Sequence, residues 1–298
     1  MEKLSFLNKD NKKVYYLKWA VENPKAVVVI AHGMVEHPAR YDHFAKYLNE
    51  NDIAVYGIYH IGHGENAEIL NHMGENDFDL CVSNMKELVE KAKLECKCKV
   101  FLLGHSMGSF MSQLYVTRYH NLDGLILSGS TKANFLSKAG SVVASIMCAF
   151  SKDKTKPSKF LDNMAFGSFN KVFKNARTDF DWLSRDEEQV DKYIADPYCG
   201  GVCSVSFFKN LTSAMAKMGR ERYIKNISLN TPIYVHGGSM DPVSDMGKGL
   251  KKLYYQYVDL GVKDVKLDIY DGARHEIYNE INKDEVYKNT LEFINSHI

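Results

Sequence analysis

The sequence predicts an α/β protein, a mostly parallel central sheet flanked by helices and interrupted by an inserted helical cap. Two observations predict it. Runs rich in β-branched residues alternate with helically spaced segments from residue 26 to 128, the order of a buried parallel sheet. Strand signals then vanish between residues 130 and 230, where helical spacing persists, and they return at Pro232. The expected division is a core of residues 1–129 and 231–298 with a cap of 130–230.

Each element has its own signal. Lys3–Leu7 and Lys13–Trp19 are short alternating runs about a polar turn, which predicts an antiparallel opening. Ala26–Ala31 reads as a buried strand, followed by a helix around Tyr41–Leu48. The run Ile53–Tyr59 precedes a helix over Asp77–Cys96, and Val100–Leu103 precedes another whose Met107, Phe110, Met111, Leu114 and Tyr115 share one face. Leu122–Leu127 is the next strand. In the cap, Ser184-Arg185-Asp186-Glu187 reads as a capping box, with its helix stopping near Asp196-Pro197. Val205, Phe208, Leu211, Met215 and Met218 mark one face of a further cap helix. Strands at Pro232–His236 and Lys266–Tyr270 and a helix over Lys283–Ile294 complete the chain.

Composition bounds the function. At 298 residues and 45% hydrophobic content the chain can bury a large core. A net charge of +1 gives no polyanion footprint, so nucleic acid is not an expected partner. The first residues lack the apolar stretch of a signal peptide, and no run reaches the ~18 consecutive apolar residues of a membrane span, so the expected location is the cytoplasm. Most of the six cysteines read as small buried hydrophobes of a reducing compartment. Neither Cys96-Lys97-Cys98 nor Cys199 with Cys203 has zinc-site spacing, and His60, His63 and His72 lack a completing carboxylate or cysteine. No metal or cofactor is expected. Charge in the cap is divided, with Lys152, Lys154, Lys156 and Lys159 in a basic part and an acidic part after residue 178. This reads either as two solvated faces or as a basic part in peripheral contact with an anionic lipid surface.

Gly104-His105-Ser106-Met107-Gly108, between a strand and a helix, reads as a nucleophile elbow. A serine hydroxyl needs a base and a group that orients the base. His275, just past the last strand, is the first choice of base, and Asp241, past the strand ending at His236, is the orienting carboxylate. Asp241 before Pro242 also reads as a turn residue capping the next helix. Asp264, Asp268 and Asp271 are rivals that lie in or beside the last strand. His105 is expected to point away from the site. The oxyanion donors are expected to be the backbone N–H groups of Met107 and Met34, the latter in the loop after Ala31. Phe135, Val142, Ile146, Phe207, Phe208 and Met215 are expected to line an acyl-chain channel, or else to pack the cap against the core.

Ala31-His32-Gly33-Met34-Val35-Glu36-His37 with Arg40-Tyr41, then Gly62-His63-Gly64, Gly104–Gly108, Ser239-Met240-Asp241-Pro242-Val243 and Gly272-Ala273-Arg274-His275-Glu276 together resemble the monoacylglycerol lipase and lysophospholipase branch of the α/β-hydrolases, often grouped with serine aminopeptidases. The resemblance implies an α/β-hydrolase fold and a cofactor-free esterase acylated on Ser106, with a small-molecule or lipid ester as substrate. Two positions depart from the family. Tyr59 stands where an acidic residue is usual, and Ser109 where a second glycine is usual. The readings to separate are a hydrolase of single-acyl-chain lipid esters, a short-chain carboxylesterase or thioesterase, an aminopeptidase-like amidase using Asp179, Asp181, Glu187 or Glu188 to hold an amine, and a non-catalytic binding module.

Overall fold

The computed structural model describes residues 1–132, 135–218 and 220–298, without the side chains of 135–138. In chain order the elements are β1 (Glu2–Leu7), β2 (Lys13–Trp19), β3 (Ala26–Ala31), α1 (Asp42–Asn49), β4 (Ile53–Ile58), α2 (Asp77–Cys96), β5 (Lys99–His105), α3 (Met107–Val116) and β6 (Gly124–Ser128). Then come α4 (Phe135–Phe150), α5 (Lys159–Phe166), α6 (Glu187–Ala195), α7 (Val205–Met218) and α8 (Glu221–Ile224), followed by β7 (Ile233–Gly238), α9 (Lys248–Leu260), β8 (Val265–Tyr270) and α10 (Lys283–Asn295).

The eight strands form one sheet in the order β1-β2-β4-β3-β5-β6-β7-β8. β1 and β2 pair antiparallel, β2 pairs antiparallel with β4, and every later pairing is parallel. This is the expected fold class, a mostly parallel sheet with helices on both faces. β3, read from its unbroken apolar run, is buried at every residue because it is central and covered on both sides. Its residues alternate between two cores. Val27 and Val29 face the side covered by α2, α3 and α9, whereas Val28 and Ile30 face α1 and α10.

Register places the site. Ala31 pairs with Gly104, His105 with Ser128, Ser128 with His236, and Gly238 with Tyr270. The loops after β3, β5, β7 and β8 therefore leave from one edge of the sheet, the carboxyl edge where open α/β sheets bind their ligands.

Residues 130–230 carry α4 to α8. Here α7 packs on α4 and α3, and Phe207, Phe208 and Leu211 join the same core as Val29 and Leu102. One local expectation is corrected. The box at Ser184 does not begin a helix: α6 starts at Glu187, and its cap is Asp186, whose side chain accepts from Gln189 N–H. Ser184 Oγ donates to the Asn279 carbonyl at 2.8 Å and accepts Asp186 N–H at 2.9 Å, so it closes the turn before the helix and leaves the cap to Asp186. α9, which no motif announced, supplies buried Leu250, Leu253 and Tyr257 beneath β7 and β8.

Candidate active site

Ser106 sits between β5 and α3 with φ 52° and ψ −118°, a left-handed conformation that a serine adopts only under constraint. The constraint is visible. Its N–H donates to Ser128 O at 2.9 Å, and its carbonyl accepts from Ser109 N–H at 2.9 Å and from Ser109 Oγ at 2.6 Å. A Cβ at Gly108 would lie 2.0 Å from Ala31 O, and one at Gly104 would lie 2.5 Å from Gly108 O, so only glycine fits either side of the serine. The departure at Ser109 thus adds a bond that holds the turn, and its hydroxyl reaches Ser130 Oγ at 2.8 Å as well.

His275 and Asp241 arrive from the loops after β8 and β7. His275 Nδ1 is 2.9 Å from Asp241 Oδ1, and both side chains are buried. Asp241 Oδ1 also accepts Val243 N–H at 2.9 Å and so braces the turn after β7, but it caps no helix: α9 begins at Lys248 with Gly247 as its cap. Burial works against a charged His275 ring, but the Asp241 carboxylate outweighs it, helped by Glu276 and Glu36, and the pKa rises above that of an ordinary imidazole. The ring lies near the elbow. A Cβ at Gly129, next to the Ser128 carbonyl that holds Ser106, would come within 2.9 Å of His275 Cε1. Among the described residues Ser106 Oγ and His275 share no hydrogen bond, an arrangement common before a substrate draws the pair together.

The rival carboxylates are occupied elsewhere. Asp268 accepts Tyr234 OH at 2.6 Å, Asp264 meets His297 at 2.9 Å, and Asp271 accepts Ser239 Oγ at 3.3 Å. His105 departs from expectation. Its ring packs against His275, with centroids 4.7 Å apart, because both rings lie over Gly129, where a Cβ would come within 2.9 Å of His275 and 3.0 Å of His105. Burial, reinforced by His275, holds its pKa well below the ordinary value, so it stays neutral.

Met34 follows β3. The N–H groups of Met34 and Met107 donate to no hydrogen bond among the described residues, and the macrodipole of α3 adds positive potential at Met107. The direction of Met34 N–H is set by its neighbours. His60 N–H donates to His32 Nε2 at 3.1 Å, so that nitrogen is the acceptor and the proton sits on Nδ1, which donates to Gly33 O at 2.7 Å. In a trans peptide C=O and N–H point oppositely, so fixing Gly33 O turns Met34 N–H away from His32. A Cβ on Gly33 would lie 3.3 Å from Ser106 Cβ, which brings this loop against the elbow.

The motifs named Glu36, Arg40 and Glu276 without assigning them roles. Arg40 Nη1 donates to Glu36 Oε2 at 2.9 Å and to Glu276 Oε1 at 2.6 Å, and Nη2 donates to Glu276 Oε2 at 2.6 Å. Trp182 was also missed. Its ring lies 5.1 Å from that of His275, and its carbonyl accepts His275 N–H at 3.4 Å. No local signal marks the Arg40–Glu276 or the Trp182–His275 pairing, since each joins residues far apart in sequence, although Glu36 and Arg40 are only four apart.

The expected channel residues divide. Phe207 is wholly buried with its ring 5.6 Å from His63, and Phe208 is buried beside it, so both pack the cap onto the core. Met215 is half-buried. Val142 and Ile146 are 59% and 53% exposed on the outer face of α4. The Phe135 side chain lies outside the described residues. The four acidic cap residues do not converge on the site: Asp181 accepts from Thr178 and Arg177, Glu188 meets Lys192, Glu187 meets Arg177, and Asp179 joins none of them.

His32, His60 and His63 form a buried ring cluster, and burial lowers the pKa of His60 to about 3. His72 is apart, bonded to Ser204 Oγ. One trio among the described residues, His37, Asp196 and Cys199, brings ligand atoms within 4.8 Å. Its His37–Asp196 contact of 2.8 Å is an ordinary hydrogen-bonded pair, and burial pushes the Cys199 thiol up, away from the thiolate that a metal needs.

The family model of the serine aminopeptidases, S33, matches residues 22–282. The chain is 30% identical to the monoglyceride lipase of Rattus norvegicus, over 98% of this chain and 88% of that one. It is 27% identical to the monoacylglycerol lipase of Mycolicibacterium smegmatis, over 99% and 97%. The crystal structure of a highly thermostable carboxyl esterase from Bacillus coagulans in complex with glycerol superposes with a TM-score of 0.91 at 25% identity, over 99% of this chain and 98% of that one.

Proposed function

The chain belongs to the serine aminopeptidase S33 family of α/β-hydrolases, with the monoglyceride lipases among its relatives, and we propose that it hydrolyses single-acyl-chain lipid esters through an acyl-enzyme on Ser106. It is a carboxylic-ester hydrolase, and a monoacylglycerol is the substrate class its relatives favour. The observation that carries the mechanism is the 2.9 Å bond from His275 Nδ1 to Asp241 Oδ1, which leaves Nε2 as the basic nitrogen. Ser106 Oγ attacks the ester carbonyl as its proton passes to His275 Nε2. The carbonyl oxygen becomes an oxyanion facing the N–H groups of Met34 and Met107. Collapse breaks the carbon–oxygen bond to the alcohol, which leaves with the proton from His275. Water then repeats the sequence, releases the fatty acid and restores Ser106.

Residues 130–230 act in this reading as a cap over the acyl chain, with half-buried Met215 on its path, whereas Val142 and Ile146 face outward and are not part of it. Val142, Ile146 and Phe150 are exposed at four-residue spacing along α4, with exposed Phe160 and Met164 on α5 and Lys152, Lys154, Lys156 and Lys159 between and beside them. An apolar ridge edged by lysines suits peripheral contact with an anionic bilayer. No described helix is long and apolar enough to cross one. Salt-sensitive binding to phosphatidylserine vesicles, lost when the four lysines are neutralised, is the expected result, and binding indifferent to both changes would count against it.

A shorter-chain ester is the second reading, favoured by the likeness to the carboxyl esterase. A series of monoacylglycerols and nitrophenyl esters of increasing acyl length decides between them. Rising kcat/KM toward long chains supports the lipid, whereas an optimum at acetate or butyrate supports the shorter ester.

A further inference from the structure

We propose that Arg40 is a positioning residue that sets the oxyanion loop and the histidine loop in register by bridging Glu36 to Glu276. The proposal rests on the reading of Ser106, Asp241 and His275 as the triad with Met34 as an oxyanion donor. All three charged side chains are nearly inaccessible, at 9%, 3% and 6% exposure for Arg40, Glu36 and Glu276. A buried guanidinium between two carboxylates is a costly arrangement, and stability alone is commonly served as well by apolar residues of the same volume. What the set does supply is geometry, because each carboxylate holds one half of the site.

Glu36 holds the oxyanion half. Its Oε1 accepts Gly33 N–H at 2.5 Å and Tyr41 OH at 3.0 Å. His32 Nδ1 holds the other end of the same residue through Gly33 O at 2.7 Å. Gly33 is thus gripped at its N–H and its C=O, which fixes the plane carrying Met34 N–H. Glu276 holds the basic half. It directly follows His275, its own N–H donates to Leu183 O at 2.7 Å, and its Oε2 accepts Asn279 Nδ2 at 3.1 Å.

Arg40 joins the two carboxylates through adjacent nitrogens of one rigid plane, with Nη1 shared between Glu36 and Glu276. Its guanidinium carbon lies 4.7 Å from the centre of the Tyr193 ring, so a cap residue closes the open face of that plane. A lysine at this position has the charge without the fork. Oxyanion donors and base must keep their relation within a fraction of an ångström, and a shift of ~1 Å is enough to cost about a hundredfold in rate.

The test compares wild type, Arg40→Met, Arg40→Lys and Glu36→Gln as full chains. Active sites are titrated by a fluorophosphonate, and kcat and KM are measured on both 4-nitrophenyl butyrate and a monoacylglycerol. Arg40→Met is expected to lose roughly ten- to a hundredfold in kcat per titrated site on both esters, with KM within about twofold. Arg40→Lys is expected to recover part of that loss, and full recovery would contradict the role of the fork. Glu36→Gln, close in shape and a safeguard should Arg40→Met fold poorly, is expected to lose about three- to tenfold in kcat on both esters. A loss confined to the monoacylglycerol, or expressed in KM, would make Arg40 a head-group contact and overturn the proposal. Unchanged kcat per site with only a lower Tm would make it a brace and overturn it too. Failure of wild type to label at Ser106 would instead remove the triad reading beneath it.

Discussion

The sheet side of the site and the cap side are built by different rules. On the sheet side Ser106, Asp241, His275 and the Met34 loop are points, each fixed by a named hydrogen bond or by a glycine that nothing else can replace. On the cap side Phe207 and Phe208 fill volume, while Val142, Ile146 and Phe150 present an exposed apolar surface. Points tolerate no substitution because the chemistry needs a given atom at a given place. Surfaces tolerate many, since burial is roughly proportional to area and indifferent to residue identity.

Substitution can break that contrast, and the largest expected effect is at Ser106. Ser106→Ala should lower ester turnover by about a millionfold, to background, in a folded protein with unchanged circular dichroism. Residual turnover above one part in a thousand would place the nucleophile elsewhere.

Asp241→Asn comes next, at about ten-thousandfold in kcat, measured on the same ester. Its pH profile sharpens the point. In the proposed mechanism the base works as neutral imidazole, so activity should be lost as pH falls through the His275 pKa, which Asp241 holds above the ordinary ~6.5. The acidic limb of wild-type kcat/KM should therefore lie above that value. In Asp241→Asn burial acts without the carboxylate, and the limb should move to lower pH. An unmoved limb would mean that another group sets it.

On the cap side, Phe207→Ala should cost roughly 3–5 kcal/mol in chemical denaturation, because a wholly buried ring leaves a cavity. Turnover per titrated site should fall far less than in either triad variant. The smallest effect on stability is at Ile146→Ser, within about 0.5 kcal/mol, since that side chain is 53% exposed. Its effect should be read in vesicle binding, and unchanged binding would return the ridge to a solvated face.

The same contrast explains what could be read from the sequence. β3 to β6 and the positions of Ser106, Asp241 and His275 were legible because parallel strands are near-continuous apolar runs and the loops that follow them share one edge. Helical spacing identified apolar faces in the cap but not their direction. The face of α4 bearing Val142 looks outward, whereas Phe207 on α7 looks into the core, and period alone cannot separate the two. Ser184 misled because Asp186, itself a capping residue, takes the helix start, while the Ser184 hydroxyl closes the turn before it by accepting Asp186 N–H. Arg40 and Glu276, 236 positions apart, were both visible in motifs, but nothing local joins them.

The central claim is that this site holds an activated serine, and intact-mass labelling with a fluorophosphonate tests it most directly. One adduct on wild type and none on Ser106→Ala is the result expected of an acyl-enzyme mechanism on Ser106. No adduct on folded wild type, or an adduct that survives the substitution, would contradict it.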